Sequence, residues 1–109
     1  MPHVLVHQRI GEFDRWKEVF DSLGPARAAA SCTSTSLFRN RQDPHEVVVL
    51  FEFDDLEQAR AHMGSAELRA AWQDAGVTDP GTRTILDAVQ IDGQIDAVQV
   101  DGRPGGGAR

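Results

Sequence analysis

Glu46-Val47-Val48-Val49-Leu50-Phe51-Glu52-Phe53 is the stretch on which the fold turns. Successive side chains of an extended segment point to opposite sides. Val47, Val49, Phe51 and Phe53 therefore share one side, and Val48 and Leu50 share the other. A strand apolar on both sides belongs in the interior of a sheet that is covered above and below.

The segment before it predicts an edge partner. From Thr33 to Asn40, the row Thr35, Leu37, Arg39 alternates with Ser34, Ser36, Phe38, a half-polar strand pattern. Arg41-Gln42-Asp43-Pro44 is turn chemistry, so the two strands form a hairpin. After Phe53, Asp54 is placed to cap a helix running to Met63, with Glu57 completing a capping box. Gly64-Ser65 interrupts that helix, and Ser65 recaps a further segment with Leu68, Ala71, Trp72 and Ala75 on one face. Asp79-Pro80-Gly81 is expected to turn the chain into a fourth strand, Arg83 to Ile91.

At the other end, His3 to Arg9 is short and β-branched and reads as the first strand. Phe13, Trp16, Phe20 and Leu23 then recur at spacings of three and four, which predicts one helix over Gly11 to Leu23. Gly24-Pro25 stops it, and Ala26 to Ala30 has room for a helical turn. The order is β-α-β-β-α-β, a ferredoxin-like α+β fold with a four-stranded antiparallel sheet, and residues 1–91 make one domain. Both helical connections lie on one side of such a sheet. The first and third strands, however, are apolar on both sides. The uncovered face therefore calls for a second copy of the chain, because a two-fold interface uses one patch twice.

Residues 92–109 form an extension. Asp87-Ala88-Val89-Gln90-Ile91-Asp92-Gly93 recurs as Asp96-Ala97-Val98-Gln99-Val100-Asp101-Gly102. An extra strand over 95–100, after a hairpin turn or across the dimer, and a partly ordered tail are both open; the glycine-rich residues 103–109 are expected to be disordered.

Composition removes several classes of function. The net charge of −6 argues against a nucleic-acid partner, which would require clustered Lys and Arg. Without a long apolar run there is no expectation of membrane insertion. The first residues lack a signal-peptide layout, and Cys32 is the single cysteine, so a cytoplasmic location is expected. Four scattered histidines and one cysteine lack the close ligand pairs of a zinc site, so no metal is expected.

Val4-Leu5-Val6, Phe13-Asp14-Arg15-Trp16-Lys17, Leu37-Phe38-Arg39-Asn40, Asp43-Pro44-His45-Glu46-Val47 and Phe51-Glu52-Phe53-Asp54-Asp55-Leu56-Glu57 together resemble the antibiotic-biosynthesis-monooxygenase-like dimeric α+β barrels. The short members labelled as cyclases are the nearest in pattern. The resemblance implies homodimers with facing sheets, and a pocket between sheet and helices in each subunit. It also implies O2-dependent oxidation of polyketide anthrones to quinones without metal or flavin, using Asn, Trp and Tyr residues. This chain has no tyrosine, and its one asparagine is Asn40, at the hairpin. That departure shifts weight toward cyclase-like acid–base chemistry.

Two histidines are candidates for that chemistry. His7 lies late in the first strand, on the side of Leu5, and an imidazole is a residue type suited to general acid–base work. Its plain alternative is a strand-end histidine bonded to backbone or water. His62, near the end of the second helix, reaches a pocket rim or stabilises the helix end as a cation. Trp16, Phe20, Phe51 and Trp72 are candidate walls for a planar aromatic substrate, or plain core. Arg39 is a candidate for holding a carboxylate or enolate, against an ion pair with Glu46 or Glu52. Cys32 lacks a basic sequence neighbour to activate it, and Asp54, Asp55 and Glu57 suit capping. Three functions follow: a cofactor-independent monooxygenase or cyclase of a small polyketide-like aromatic, a non-catalytic dimeric binding module, and, last, a haem binder through His62.

Overall fold

A computed structural model of the chain describes residues 2–90 and residue 92. In order they form β1 (Pro2–Ile10), α1 (Phe13–Ser22), α2 (Gly24–Ala29), β2 (Cys32–Arg39), β3 (Glu46–Phe53), α3 (Leu56–Met63), α4 (Ala66–Asp74) and β4 (Val77–Asp87). The strands make one four-stranded sheet in the order β2-β3-β1-β4, and every pairing is antiparallel. The two strands read as apolar on both sides, β1 and β3, are the two central ones.

Register assigns each side chain to a face. Val4 pairs with Phe51, Val6 with Val49 and Gln8 with Val47, and these six residues are buried on the side that the helices cover. The opposite side carries Leu5 against Leu50 and His7 against Val48. Phe38 and Leu86 join that second face from β2 and β4, 57% and 40% exposed. On the covered side, α1 contributes Trp16, Val19 and Phe20, α3 contributes Ala59 and Met63, and α4 contributes Leu68. Burying each of the larger of these side chains contributes roughly 1.5–3 kcal/mol, which holds the helices on this face.

Three boundaries differ from the sequence reading. The N-cap of α3 is Asp55, not Asp54: the Asp55 carboxylate accepts from the Glu57 backbone N–H at 3.1 Å. The Asp54 backbone N–H is spent on the Ser31 carbonyl, 2.9 Å away. The Ser65 cap of α4 is as expected, with its Oγ accepting from the Leu68 N–H at 3.1 Å. Gly24-Pro25, expected as a stop, opens α2, where proline's missing N–H costs nothing in the first turn.

The largest difference is in β4. Asp79-Pro80-Gly81 does not turn the chain; it is an irregularity inside a strand that begins at Val77 and ends at Asp87 rather than Ile91. Pairing with β1 slips between His7 and Ile10, and the Asp79 carboxylate accepts from the Gly81 N–H at 2.9 Å. Proline is tolerated because β4 is an edge strand. Gly81 has a positive φ of 64°, and a Cβ there would run into the His7 carbonyl. The proposed extra strand over 95–100 and the tail over 103–109 lie outside the described residues. Among those residues, no helix is long and apolar enough to cross a membrane.

Candidate functional site

The β1 alternation that buries Val4, Val6 and Ile10 also buries Gln8, at 2% exposure the one polar side chain among the buried residues described. Burying an amide is costly unless it is bonded. Its partner is Trp16, whose indole Nε1–H donates to Gln8 Oε1 at 2.8 Å. Indole only donates, so this bond fixes which end of the amide faces it and leaves the Gln8 NH2 pointing elsewhere.

Trp16 is the middle of an aromatic column. Phe20 stacks on one side, with centroids 4.9 Å apart and planes 19° apart. Trp72 of α4 lies nearly parallel to Trp16, at 5.9 Å and 3°. Helical spacing on α1 delivers Trp16 and Phe20; the Ser65 cap sets the direction of α4 and hence the position of Trp72.

The outer end of this column opens into a cavity of about 320 Å³ between sheet and helices. Gln8 and Trp72 form its inner wall, with Val6 and Met63. Arg69 from α4 and Arg83 from β4 supply charge, and Ser65, Pro80 and Gly81 complete the lining. Ser65 Oγ is occupied, donating to the His62 carbonyl while it caps α4. The lining therefore holds hydrogen-bond donors and two guanidinium groups, with no carboxylate and no histidine. Such a lining is suited in shape to a flat molecule, and its donors are of the kind that stabilise negative charge on an oxygen.

The residues singled out from sequence separate into several places. Trp72 lines the cavity. Trp16 and Phe20 stand behind it in the column, and Phe51 is core, with its ring 6.4 Å from Phe20 and 6.1 Å from Phe53. Arg39 does not pair with Glu46 or Glu52; its guanidinium lies 4.2 Å over the Phe13 ring, a cation–π contact at the edge of the sheet. His62 is partly buried, with its ring 6.4 Å from Phe53. Burial, and then the charge of Arg27, hold it below the usual histidine range.

His7 lies on the other side of the sheet. Its Nε2 bonds the Glu46 carboxylate, which also accepts from the Asn40 amide. His7 and Glu46 border a shallow hollow of about 210 Å³ with Gln8, Arg9, Asp79, Gly81 and Thr82. The Asn40 bond, and then His7, hold the Glu46 carboxyl below the usual range. Within one chain, His7 and the aromatic candidates thus occupy opposite faces of the sheet, whereas His62, on α3, lies on the helix side. Among the described residues, no group of three or more His, Cys, Asp or Glu side chains could hold a metal ion.

Sequence reasoning missed Gln8, Arg69 and Arg83. Gln8 carried a legible signal, a polar residue in phase with Val4, Val6 and Ile10. The two arginines carried none, because only the tertiary fold brings α4 beside β4.

The family model described as antibiotic biosynthesis monooxygenase matches residues 5–74. Among solved structures, an antibiotic biosynthesis monooxygenase is 21% identical with a TM-score of 0.65, covering 83% of this chain and 100% of its own. SnoaB, a cofactor-independent oxygenase from Streptomyces nogalater, is 16% identical with a TM-score of 0.66, the match covering 85% of this chain and 96% of SnoaB. Rv0793 from Mycobacterium tuberculosis is 18% identical with a TM-score of 0.60, over 84% of this chain and 99% of that one. At these identities the likeness is one of fold. No curated relative matches the chain.

Proposed function

The chain belongs to the antibiotic biosynthesis monooxygenase family, and from that premise we propose that it is a cofactor-independent oxygenase of a small, planar, polyketide-like aromatic. The observation that carries the proposal is the parallel Trp16–Trp72 pair, whose outer member walls a cavity furnished with donors. The substrate class suited to it is a phenolic ketone of the anthrone type. Loss of a ring C–H proton gives an enolate, whose negative oxygen meets the Gln8 amide NH2 and the guanidinium groups. The enolate carbon passes electrons to O2, and one oxygen atom stays as the new carbonyl. Overall, CH2 and O2 become C=O and H2O: the carbon is oxidised and dioxygen reduced. No side-chain base lines the cavity, so the proton goes to solvent from a substrate acidic enough to release it.

In the same reading the protein is a homodimer. The apolar open face, with Leu5, Val48, Leu50, Phe38 and Leu86, is its interface.

Mixing the protein with 1,8-dihydroxyanthrone in aerated buffer and following quinone absorbance tests the activity. The expected result is a rate above spontaneous oxidation that Trp72→Ala lowers about tenfold or more and His7→Ala leaves unchanged. If His7→Ala abolishes turnover, the chemistry belongs to the open face. A second reading, a non-catalytic binding module, is favoured by the missing side-chain base. Saturable binding of the anthrone without acceleration would establish it.

A further inference from the structure

Resting on the assignment of the helix-side cavity as the substrate site, we propose that its ligand carries an ionised acidic group, and that Arg83 is the residue that selects for it. The chain carries an excess of six negative charges, yet the charge around this cavity is inverted. Arg69 and Arg83 line it, and Arg60 and Arg83 line an adjoining hollow of about 230 Å³, with no Asp or Glu in either wall. Among the described residues, ion pairs engage Arg9, Arg15 and Lys17, while Arg60, Arg69 and Arg83 take part in none. Guanidinium groups without a carboxylate, grouped beside an aromatic wall, match a flat anion.

Arg83 has a second property. Its Nη1 donates to the Met63 carbonyl at the end of α3. Arg83 and Met63 both line the two hollows, so this bond is part of the partition between them. A neutral carbonyl is a weaker acceptor than a carboxylate, whose charge-assisted bonds are roughly twice as strong. An acidic ligand therefore draws the guanidinium off Met63. The partition opens, and space in the second hollow becomes available to the same ligand. A neutral ligand offers no such exchange and is confined to the first hollow.

Equilibrium dialysis of the purified protein with 2-naphthoate and with its methyl ester separates the possibilities. The expected result is binding of the acid on the order of tenfold tighter than the ester, weakening as salt is raised. Arg83→Met should remove most of that preference by weakening the acid and leaving the ester unchanged or tighter. Arg69→Gln, at an exposed helical position, should weaken the acid alone and guards against misfolding of the first variant. Equal binding of acid and ester overturns the proposal while the cavity stands as an aromatic site. Equal losses for both ligands in Arg83→Met make Arg83 a structural residue and overturn it too. Binding of neither compound overturns the site assignment and the proposal together.

Discussion

Gln8 and His7 are neighbours in β1, and the sheet sends them to opposite faces. Gln8 is buried against Trp16 on the helix-covered side; His7 meets Glu46 at a surface, with half of its side chain exposed. Both are polar groups holding one partner, yet burial makes them energetically unlike. A buried donor that loses its acceptor bears the full cost of desolvation, whereas an exposed one turns to water. The covered face thus holds a polar bond that the fold depends on. The open face holds one that only a second subunit would make important.

The largest effect should follow from breaking the covered side of this comparison. Gln8→Ala leaves the Trp16 indole N–H without an acceptor and removes buried volume behind the cavity. The expected loss is about 3 kcal/mol in guanidinium denaturation, combining an unsatisfied donor with a partial cavity. A loss under about 1 kcal/mol would mean that water replaces the amide, and Gln8 would then belong to the wet part of the site.

How much of this was legible in the sequence differs between the same two faces. The order of elements, the central place of β1 and β3 and the bounds of β3 follow from alternation, because Val47 to Phe53 has one period and no ambiguity. Where two residues can do the same local work, alternation says nothing: Asp54 and Asp55 are both competent caps, and the backbone of Ser31 decides between them. Asp79-Pro80-Gly81 reads as a turn because its chemistry suits tight backbone geometry, and a bulge on an edge strand uses the same chemistry. His7 drew attention through its side chain; Gln8, in phase with Val6 and Ile10, was the residue whose position was unusual. Arg69 and Arg83 lie on α4 and β4, and no periodicity within either segment places them around one cavity.

The open face yields the next effect. Leu50 pairs with Leu5 in the middle of that face, and both are partly exposed in the single chain. Leu50→Asp should therefore leave the fold intact and weaken self-association by about a hundredfold or more, as a buried unpaired charge requires. Light scattering should then report half the wild-type mass. A wild-type monomer, or a Leu50→Asp variant that stays dimeric, would remove this face from the interface.

The smallest effect concerns His7 itself, and it ties the two faces together. The Asn40 bond is the first cause holding the Glu46 carboxyl below its usual range, and the His7 bond is the second. A carboxyl held low by the folded state contributes stability that is present above its unfolded pKa and lost as pH falls through its folded one. Asn40→Ala and His7→Ala should each raise the Glu46 pKa, read from the side-chain carboxyl carbon by NMR, and either change should trim stability only slightly in a lone subunit. Covered by a partner, the same His7–Glu46 bond would be desolvated, and each substitution would cost more. Comparing His7→Ala in the wild-type and Leu50→Asp backgrounds isolates that difference. A larger loss in the dimer means that the second subunit buries His7. An equal loss means that His7 stays in water, and the contrast between the two faces is then complete within one chain.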